Sequence, residues 1–157
     1  MNPYIGKAGQ TSYPLKRIWR KLLSNIQQSA YIPTSLRIKI LRNIGIKIGE
    51  RCFIGSDISF DGMHPEYIEI GTHTKITSGT KILTHFFNPE DEGMYLGKVT
   101  IGDEVFIGLN TLIVNPVVIG NGAVLAAGSV VVKDVPEWEI WGGNPAKFIK
   151  KREIKKS

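Results

Sequence analysis

The sequence predicts an all-β repeat protein, a coil of short strands in which each turn stacks on the next. The main observation is a period of six residues in the aliphatic side chains. Its longest run comprises Ile101, Ile107, Ile113, Ile119, Leu125 and Val131. The same period occurs upstream at Ile48, Ile54 and Phe60 and, after an insertion of four extra residues, again at Ile70, Ile76 and Ile82. Neither a helix nor simple strand alternation explains this spacing, whereas a solenoid of short, flat strands does.

Two further observations support a coil. Glycine directly follows an aliphatic position at Gly49, Gly55, Gly71, Gly102, Gly108 and Gly120. The fifth place of each hexad is small or β-branched, as in Thr74, Thr80, Val105, Thr111, Val117, Ala123 and Ser129. We expect these residues to face inward, because one turn cannot bury its inner face without its neighbours. The predicted coil spans residues 46–136 in about four turns, which begin near Ile48, Ile70, Ile101 and Ile119.

The N-terminal region, residues 1–45, is expected to form a helical cap. Apolar residues at helical spacing predict an amphipathic helix over residues 14–28. A second helix is predicted from Thr34 or Ser35 to about residue 43. The two helices can cover the open end of the coil, since a solenoid needs a cap. The alternative is that the basic first helix contacts a membrane surface.

The six-residue period is lost between Ile82 and Ile101. This stretch is polar and contains a proline and two glycines, so we expect a protruding loop over residues 86–98. Loops that interrupt a rigid scaffold commonly carry function. After the coil, residues 137–157 are predicted to form a C-terminal basic tail.

The charge distribution is strongly asymmetric. Residues 1–45 carry eight Lys or Arg and no acid, residues 46–146 carry six bases and thirteen acids, and the last eleven residues carry six bases and one acid. Basic ends of this kind bind nucleic acid, anionic lipid or phosphorylated small molecules. No recognition motif or aromatic platform accompanies the charge, which argues against nucleic acid.

The single cysteine excludes an intrachain disulfide. With no long apolar segment or leader evident, we expect a cytoplasmic protein, or a membrane-peripheral one if the basic helix contacts lipid.

Four segments carry a resemblance to a known family. They are Thr84-His85 before the predicted loop, residues 101–108 (IGDEVFIG), residues 127–136 (AGSVVVKDVP) and residues 143–147 (GNPAK). Together they resemble the hexapeptide-repeat acyltransferases, in the branch of maltose, galactoside and nodulation acetyltransferases and of O-acetyltransferases from polysaccharide clusters. The resemblance covers roughly residues 46–150. It implies a left-handed parallel β-helix, a homotrimer with active sites between subunits, and acetyl-CoA as the acyl donor.

The same resemblance implies roles for individual residues. His85 takes the catalytic position, where a histidine removes the proton of the acceptor hydroxyl as a general base. No Ser or Cys motif suggests a covalent intermediate, so we expect direct transfer. The residues implied for the acyl donor are Gly108, Leu109, Ala127, Lys133, Lys147 and Lys150. Those expected to contact the acceptor are Asp57, Asp61 and Tyr95, with the two aspartates supplied by the neighbouring subunit.

A zinc site is not predicted, because zinc needs several convergent ligands. The three histidines, His64, His73 and His85, are spaced by 9 and 12 residues, whereas stacked positions on such a coil recur about every 18 residues. We therefore expect His64 and His73 to be surface groups and the reaction to require no metal.

The leading hypothesis is an O-acetyltransferase that acts on a hydroxyl of a sugar or glycan. A second hypothesis is N-acetylation of an amino sugar or of a xenobiotic such as chloramphenicol, which the same base and scaffold could serve. A third is a non-catalytic solenoid used as a binding module. His85 and its loop argue against the third hypothesis, since a scaffold has no need of them.

Overall fold

The computed structural model of the protein describes residues 4–7 and 14–153, with side chains from Ile18 onward. Two helices come first, α1 (Pro14–Gln28) and α2 (Thr34–Ile44). A short 3₁₀ turn lies at Pro65–Tyr67. Both helices lie within one residue of their predicted bounds. Gly45 ends α2 with a left-handed φ of 114°, and its N–H donates to the carbonyl of Arg42.

Most strands belong to three parallel sheets, and each successive turn of the chain adds one strand to each sheet. Sheet 1 contains β2 (Lys47–Ile48), β5 (Ile68–Ile70), β10 (Val99–Ile101) and β13 (Val118–Ile119). Sheet 2 contains β3 (Phe53–Ile54), β6 (Lys75–Ile76), β11 (Phe106–Ile107), β14 (Val124–Leu125), β16 (Glu139–Gly142) and β17 (Lys147–Lys151). Sheet 3 contains β4 (Ser59–Phe60), β7 (Lys81–Ile82), β12 (Leu112–Ile113) and β15 (Val130–Val131). The exception to parallel pairing is β17, which runs antiparallel to β16 at the end of sheet 2.

The register of the sheets places the periodic aliphatic residues directly above one another. In sheet 2, Ile54 pairs with Ile76, Ile76 with Ile107 and Ile107 with Leu125. All four side chains are fully buried. The fifth-place residues also face inward, as predicted: Thr74, Thr80, Thr111 and Ser129 are fully buried. Their hydroxyls donate to backbone carbonyls, for example from Thr111 to Gly108 at 2.8 Å, so these polar atoms are buried with partners.

Three corners connect the sheets and organise the surface. The first corner leads from sheet 1 to sheet 2, the second from sheet 2 to sheet 3, and the third from sheet 3 to sheet 1 of the next turn. Residues with positive φ turn the chain at the first and second corners, for example His73 at the first and Asp57 and Asn110 at the second. Because the turns superimpose, residues at one corner form a column along the coil.

The second helix packs on the first turn of the coil. Leu41 and Ile44 of α2 are buried in the same apolar core as Ile46 and Ile54. The buried guanidinium of Arg37 ties three segments together. It donates to the carbonyls of Gln27 at 2.6 Å, Ser29 at 2.7 Å and Ile54 at 2.8 Å. These bonds fix the end of α1 against α2 and the coil.

The segment between Ile82 and Ile101 is more regular than the predicted loop. It forms a hairpin of β8 (His85–Asn88) and β9 (Gly93–Gly97), and β1 (Tyr4–Lys7) pairs with the other side of β9. The polar turn at residues 89–92 dominated the prediction of a loop, whereas the aromatic and apolar residues of the two strands were the available signal for a hairpin. Among the described residues, no helix is long and apolar enough to cross a membrane.

Close stacking of the turns explains the glycine that follows the aliphatic residue. A Cβ atom at Gly49 would lie 2.7 Å from the carbonyl carbon of Gly71, whereas a Cβ at Gly62 would meet no atom within 4 Å.

We predict that Gly49→Ala lowers the free energy of unfolding by about 1–3 kcal/mol, because the backbone of the next turn must shift. Gly62→Ala is the matched control and should leave it nearly unchanged. Urea titration of both variants tests this, and equal midpoints would contradict the stacking argument.

Candidate active site

His85 lies at the third corner, where the coil opens into the β8–β9 hairpin. The preceding strand β7 is anchored by Ile82, which is fully buried and pairs with Ile113 of the next turn. Thr84 is also fully buried, whereas the His85 side chain is 26% exposed. The coil therefore holds the backbone at this position and leaves one edge of the imidazole accessible.

The carboxylate of Asp61, at the same corner one turn earlier, orients His85. Its Oδ2 lies 2.6 Å from His85 Nδ1 and also accepts hydrogen bonds from the hydroxyl and the N–H of Thr84, at 2.6 and 2.9 Å. Its Oδ1 accepts from the N–H of Met63 at 2.8 Å. Asp61 is buried, and every one of these contacts is made within one chain.

These hydrogen bonds determine the ionisation of Asp61. Burial by itself disfavours the carboxylate, but donation from Thr84, Met63 and His85 outweighs it and lowers the pKa of Asp61 below its usual value. An ionised carboxylate can only accept hydrogen bonds, so Nδ1 of His85 must carry the proton in this contact. In a neutral imidazole the lone pair then resides on Nε2, which is the atom able to accept a proton from a substrate.

A cleft of about 450 Å³ opens beside this pair. Asp61 and His85 lie on its coil side, and α1 provides the opposite wall with Lys21, Asn25 and Gln28. Sequence reasoning missed this wall, because only the apolar and basic residues of α1 were considered. The polar residues Asn25 and Gln28 near the end of that helix were the available signal.

Three residues implied for the acyl donor gather at the second corner. A Cβ at Gly108 would lie 2.5 Å from the backbone nitrogen of Ala127, which shows how closely the two turns approach. The N–H of Gly128 donates to the carbonyl of Leu109 at 2.7 Å. Leu109 and Ala127 are exposed. This corner presents a narrow strip of backbone and small side chains.

The three lysines implied for the acyl donor occupy the C-terminal end of the coil. Lys133 lies at the third corner, with its Nζ 5.1 Å from the ring centroid of Trp141. Lys147 and Lys150 are exposed on β17. In the sheet, Lys147 pairs with Gly142 and Lys150 pairs with Ile140, both on β16.

One chain does not bring all the predicted site residues together. His85 lies at the third corner, whereas Gly108, Leu109 and Ala127 lie at the second, so sheet 3 separates them. Asp57 is also at the second corner, exposed, with its N–H bonded to the carbonyl of Gln28.

The two remaining residues predicted to contact the acceptor lie near His85. Asp61 differs from the expected position: it belongs to the same chain as His85, and its oxygens are occupied by the contacts described above. Tyr95 lies on the hairpin, where it bonds to Asp91 and stacks on Phe86 with ring centroids 5.4 Å apart.

The other two histidines differ in environment. The expectation of a surface position is wrong for His64, which is buried, stacks on Tyr67 and lies 3.2 Å from Glu66. It directly precedes the 3₁₀ turn at Pro65–Tyr67, in the stretch between Phe60 and Ile70 that is four residues longer than the six-residue period. His73 is exposed, as expected. Among the described residues, no three His, Cys, Asp or Glu side chains are grouped so that they could hold a metal ion.

Known proteins are similar to this chain in sequence and in fold. The family described as "Hexapeptide repeat of succinyl-transferase" matches residues 45–60 and 98–133. "Putative acetyltransferase YvoF" of Bacillus subtilis (strain 168) is 44% identical over 108 residues, which cover 69% of this chain and 62% of that protein. The chain thus spans less than two thirds of that relative. Protein CapG of Staphylococcus aureus is 45% identical over 122 residues, covering 72% of this chain and 70% of CapG.

Solved structures agree with the sequence relatives. The hexapeptide-repeat-containing acetyltransferase VCA0836 from Vibrio cholerae superimposes with a TM-score of 0.78 at 24% identity, over 95% of this chain and 97% of that one. A maltose O-acetyltransferase from Clostridium difficile 630 superimposes with a TM-score of 0.64 at 25% identity, over 89% and 88% of the two chains. With these relatives and the stacked hexads, the chain belongs to the hexapeptide-repeat acyltransferases and has their left-handed β-helix fold.

Proposed function

We propose that this protein is an acetyl-CoA-dependent O-acetyltransferase that acts on a hydroxyl of a sugar or glycan. The observation that carries the proposal is the 2.6 Å contact between Asp61 Oδ2 and His85 Nδ1 at the base of an open cleft. It leaves Nε2 of His85 as the proton acceptor of a partly exposed ring. A non-catalytic solenoid would gain nothing from burying an ionised carboxylate to orient a partly exposed histidine.

The chemistry needs one proton acceptor. His85 Nε2 removes the proton of the acceptor hydroxyl while its oxygen attacks the thioester carbonyl of acetyl-CoA. The tetrahedral intermediate collapses with cleavage of the C–S bond, and the imidazolium returns its proton to the departing sulfur. The fixed negative charge of Asp61 stabilises the imidazolium between these steps. The products are an acetyl ester and coenzyme A.

The backbone of the second corner supplies donors for the acyl group. The N–H groups of Phe106, Gly108 and Asn110 donate to carbonyls of adjacent turns. Within the described part of the chain, the N–H groups of Leu109 and Ala127 have no such acceptor. We assign the Leu109 N–H to the oxyanion of the intermediate and the Ala127 N–H to the pantetheine arm. Lys133, Lys147 and Lys150 then meet the phosphates of the nucleotide end.

A complete site requires a second copy of the chain. Because sheet 3 separates His85 from Leu109 and Ala127, the base of one subunit must face the second corner of another. A homotrimer with three such junctions satisfies this requirement for every subunit. Asp57 and Tyr95, together with the polar wall of α1, are assigned to the acceptor at these junctions.

Replacement of the base should abolish acetyl transfer without loss of the fold. We predict that His85→Ala lowers kcat by about 10²–10⁴-fold, because general-base catalysis contributes that factor. The assay is thiol release from acetyl-CoA with a panel of sugars, amino sugars and chloramphenicol. His73→Ala, at an exposed histidine on the first corner, is the matched control. Equal rates for wild type and His85→Ala would exclude His85 as the base.

Hydroxylamine treatment of the product distinguishes O-acetylation from N-acetylation, because hydroxylamine cleaves an ester and leaves an amide intact.

Asp61 should act through His85 and also affect acid stability. We predict that Asp61→Asn lowers kcat at least tenfold and leaves the KM for acetyl-CoA unchanged, since the amide no longer fixes the proton on Nδ1.

The pKa of Asp61 is lower in the native state than in the unfolded state. The contribution of its carboxylate to stability is therefore complete above a pH of about 4 and is lost as the pH falls through the native pKa. Urea unfolding at several pH values should show the wild-type advantage over Asp61→Asn shrinking in acid. Parallel pH dependences would contradict this role.

The basic tail should bind the nucleotide of the donor. We predict that Lys147→Ala combined with Lys150→Ala weakens acetyl-CoA binding roughly tenfold or more, because two charged contacts to phosphate are lost. Isothermal titration with acetyl-CoA measures this effect. Lys75→Ala with Lys81→Ala removes two equally exposed lysines from the sides of the coil and is the control. Equal weakening by both pairs would indicate an effect of net charge alone.

A further inference from the structure

Helix α1 is oriented with its apolar side away from the protein. Ile18, Trp19, Leu22 and Ile26 are 58%, 65%, 48% and 49% exposed. With 3.6 residues per turn these four side chains share roughly 100° of the helix circumference, so they form one continuous stripe. A surface helix ordinarily turns such a stripe toward the core. We call these four residues the outer stripe.

The side of α1 that faces the protein is largely polar. Ser24 and Gln27 are buried, and Gln27 Nε2 donates to the carbonyl of Ile58 at 2.8 Å. Arg20 forms a 3.3 Å ion pair with Glu66. Arg37 holds the carbonyl of Gln27 from the other side. Rotation of the helix to bury the outer stripe would break all of these contacts, so the outward orientation is built in.

The sequence around the outer stripe is basic and favours an anionic surface. Residues 1–45 carry eight Lys or Arg and no acidic residue, although Arg37 and Arg42 of α2 are held by backbone carbonyls and Arg20 is paired with Glu66. Lys21 is exposed on α1 and adjoins the stripe. A helix with a tryptophan-containing apolar side and basic flanks is the kind that lies in the headgroup region of a bilayer, and anionic lipids strengthen its binding.

We propose that α1 docks on an anionic lipid bilayer through the outer stripe, so that the catalytic cleft opens at the membrane surface. Ile18 and Lys21 line both the cleft and the exposed side of α1, which makes the cleft mouth continuous with the docking surface. If the proposed acetyl transfer is accepted, its acceptor is a glycan presented at the membrane, for example one linked to a lipid. The docking itself does not depend on that activity.

The experiment is co-sedimentation of the full chain with vesicles of phosphatidylcholine, with and without phosphatidylglycerol. The wild type should bind vesicles that contain phosphatidylglycerol. Its affinity for vesicles of phosphatidylcholine alone should be about tenfold lower, and its affinity for the anionic vesicles should fall as the salt concentration rises. The variant Trp19→Ser/Leu22→Ser should lose at least about tenfold in vesicle binding. Phe53→Ser removes an exposed aromatic ring from sheet 2 and should bind as the wild type does.

Two further readouts decide the outcome. Sedimentation velocity tests whether a second copy covers the outer stripe: dissociation of the wild-type oligomer by Trp19→Ser/Leu22→Ser would overturn lipid docking. Absence of binding to anionic vesicles, or equal binding by wild type and variant, would overturn it as well. Acetyl transfer to a water-soluble acceptor should stay at the wild-type level in the variant. That assay reports the proposed function separately, so failure of one proposal is distinguishable from failure of the other.

Discussion

The stacking of one aliphatic side chain per strand is the interaction on which the rest of the structure depends. Ile54, Ile76, Ile107 and Leu125 form one such ladder, and neighbouring turns bury each of them, with α2 covering the open side of Ile54. No single turn has an interior of its own, so stability accumulates between neighbours. Because the ladders lie inside, the corners remain free to carry insertions, and the hairpin that begins at His85 emerges from one without disturbing the sheets.

The buried carboxylate of Asp61 connects this scaffold to the chemistry. In sheet 3, the inward residue Phe60 pairs directly with the inward residue Ile82 of the next turn. Asp61 directly follows Phe60, and Leu83 directly follows Ile82. That register brings the carboxylate beneath Thr84 and His85, and the hydrogen bonds from Thr84 and Met63 keep it ionised. The cost of burying the charge is offset by donors that are themselves held by the coil. The orientation of His85, the proposed catalytic base, is therefore a consequence of strand register.

Helix α1 combines two roles that usually exclude one another. Its inner side is fixed by polar contacts through Gln27, Arg20 and Arg37, and its outer side presents apolar residues to the surroundings. The same helix forms one wall of the cleft beside His85. A contact made by the outer stripe is thus adjacent to the proposed active site, and it would link the location of the protein to the acceptor proposed for it.

The sequence by itself determined the periodic part of this protein. The six-residue spacing predicted the strands and their inward residues. Helical spacing predicted α1, and the flanking Pro33 and Gly45 predicted α2, because these signals depend on neighbours along the chain. The sequence did not determine the contact of Asp61 with His85, since the two are 24 residues apart and an insertion between them alters the spacing. It did not reveal the buried position of His64 or the outward orientation of α1, whose amphipathic pattern is compatible with either direction. Those features were decided by tertiary structure, because hydrogen bonds between distant segments, such as those of Arg37 and Gln27, outweigh the local pattern.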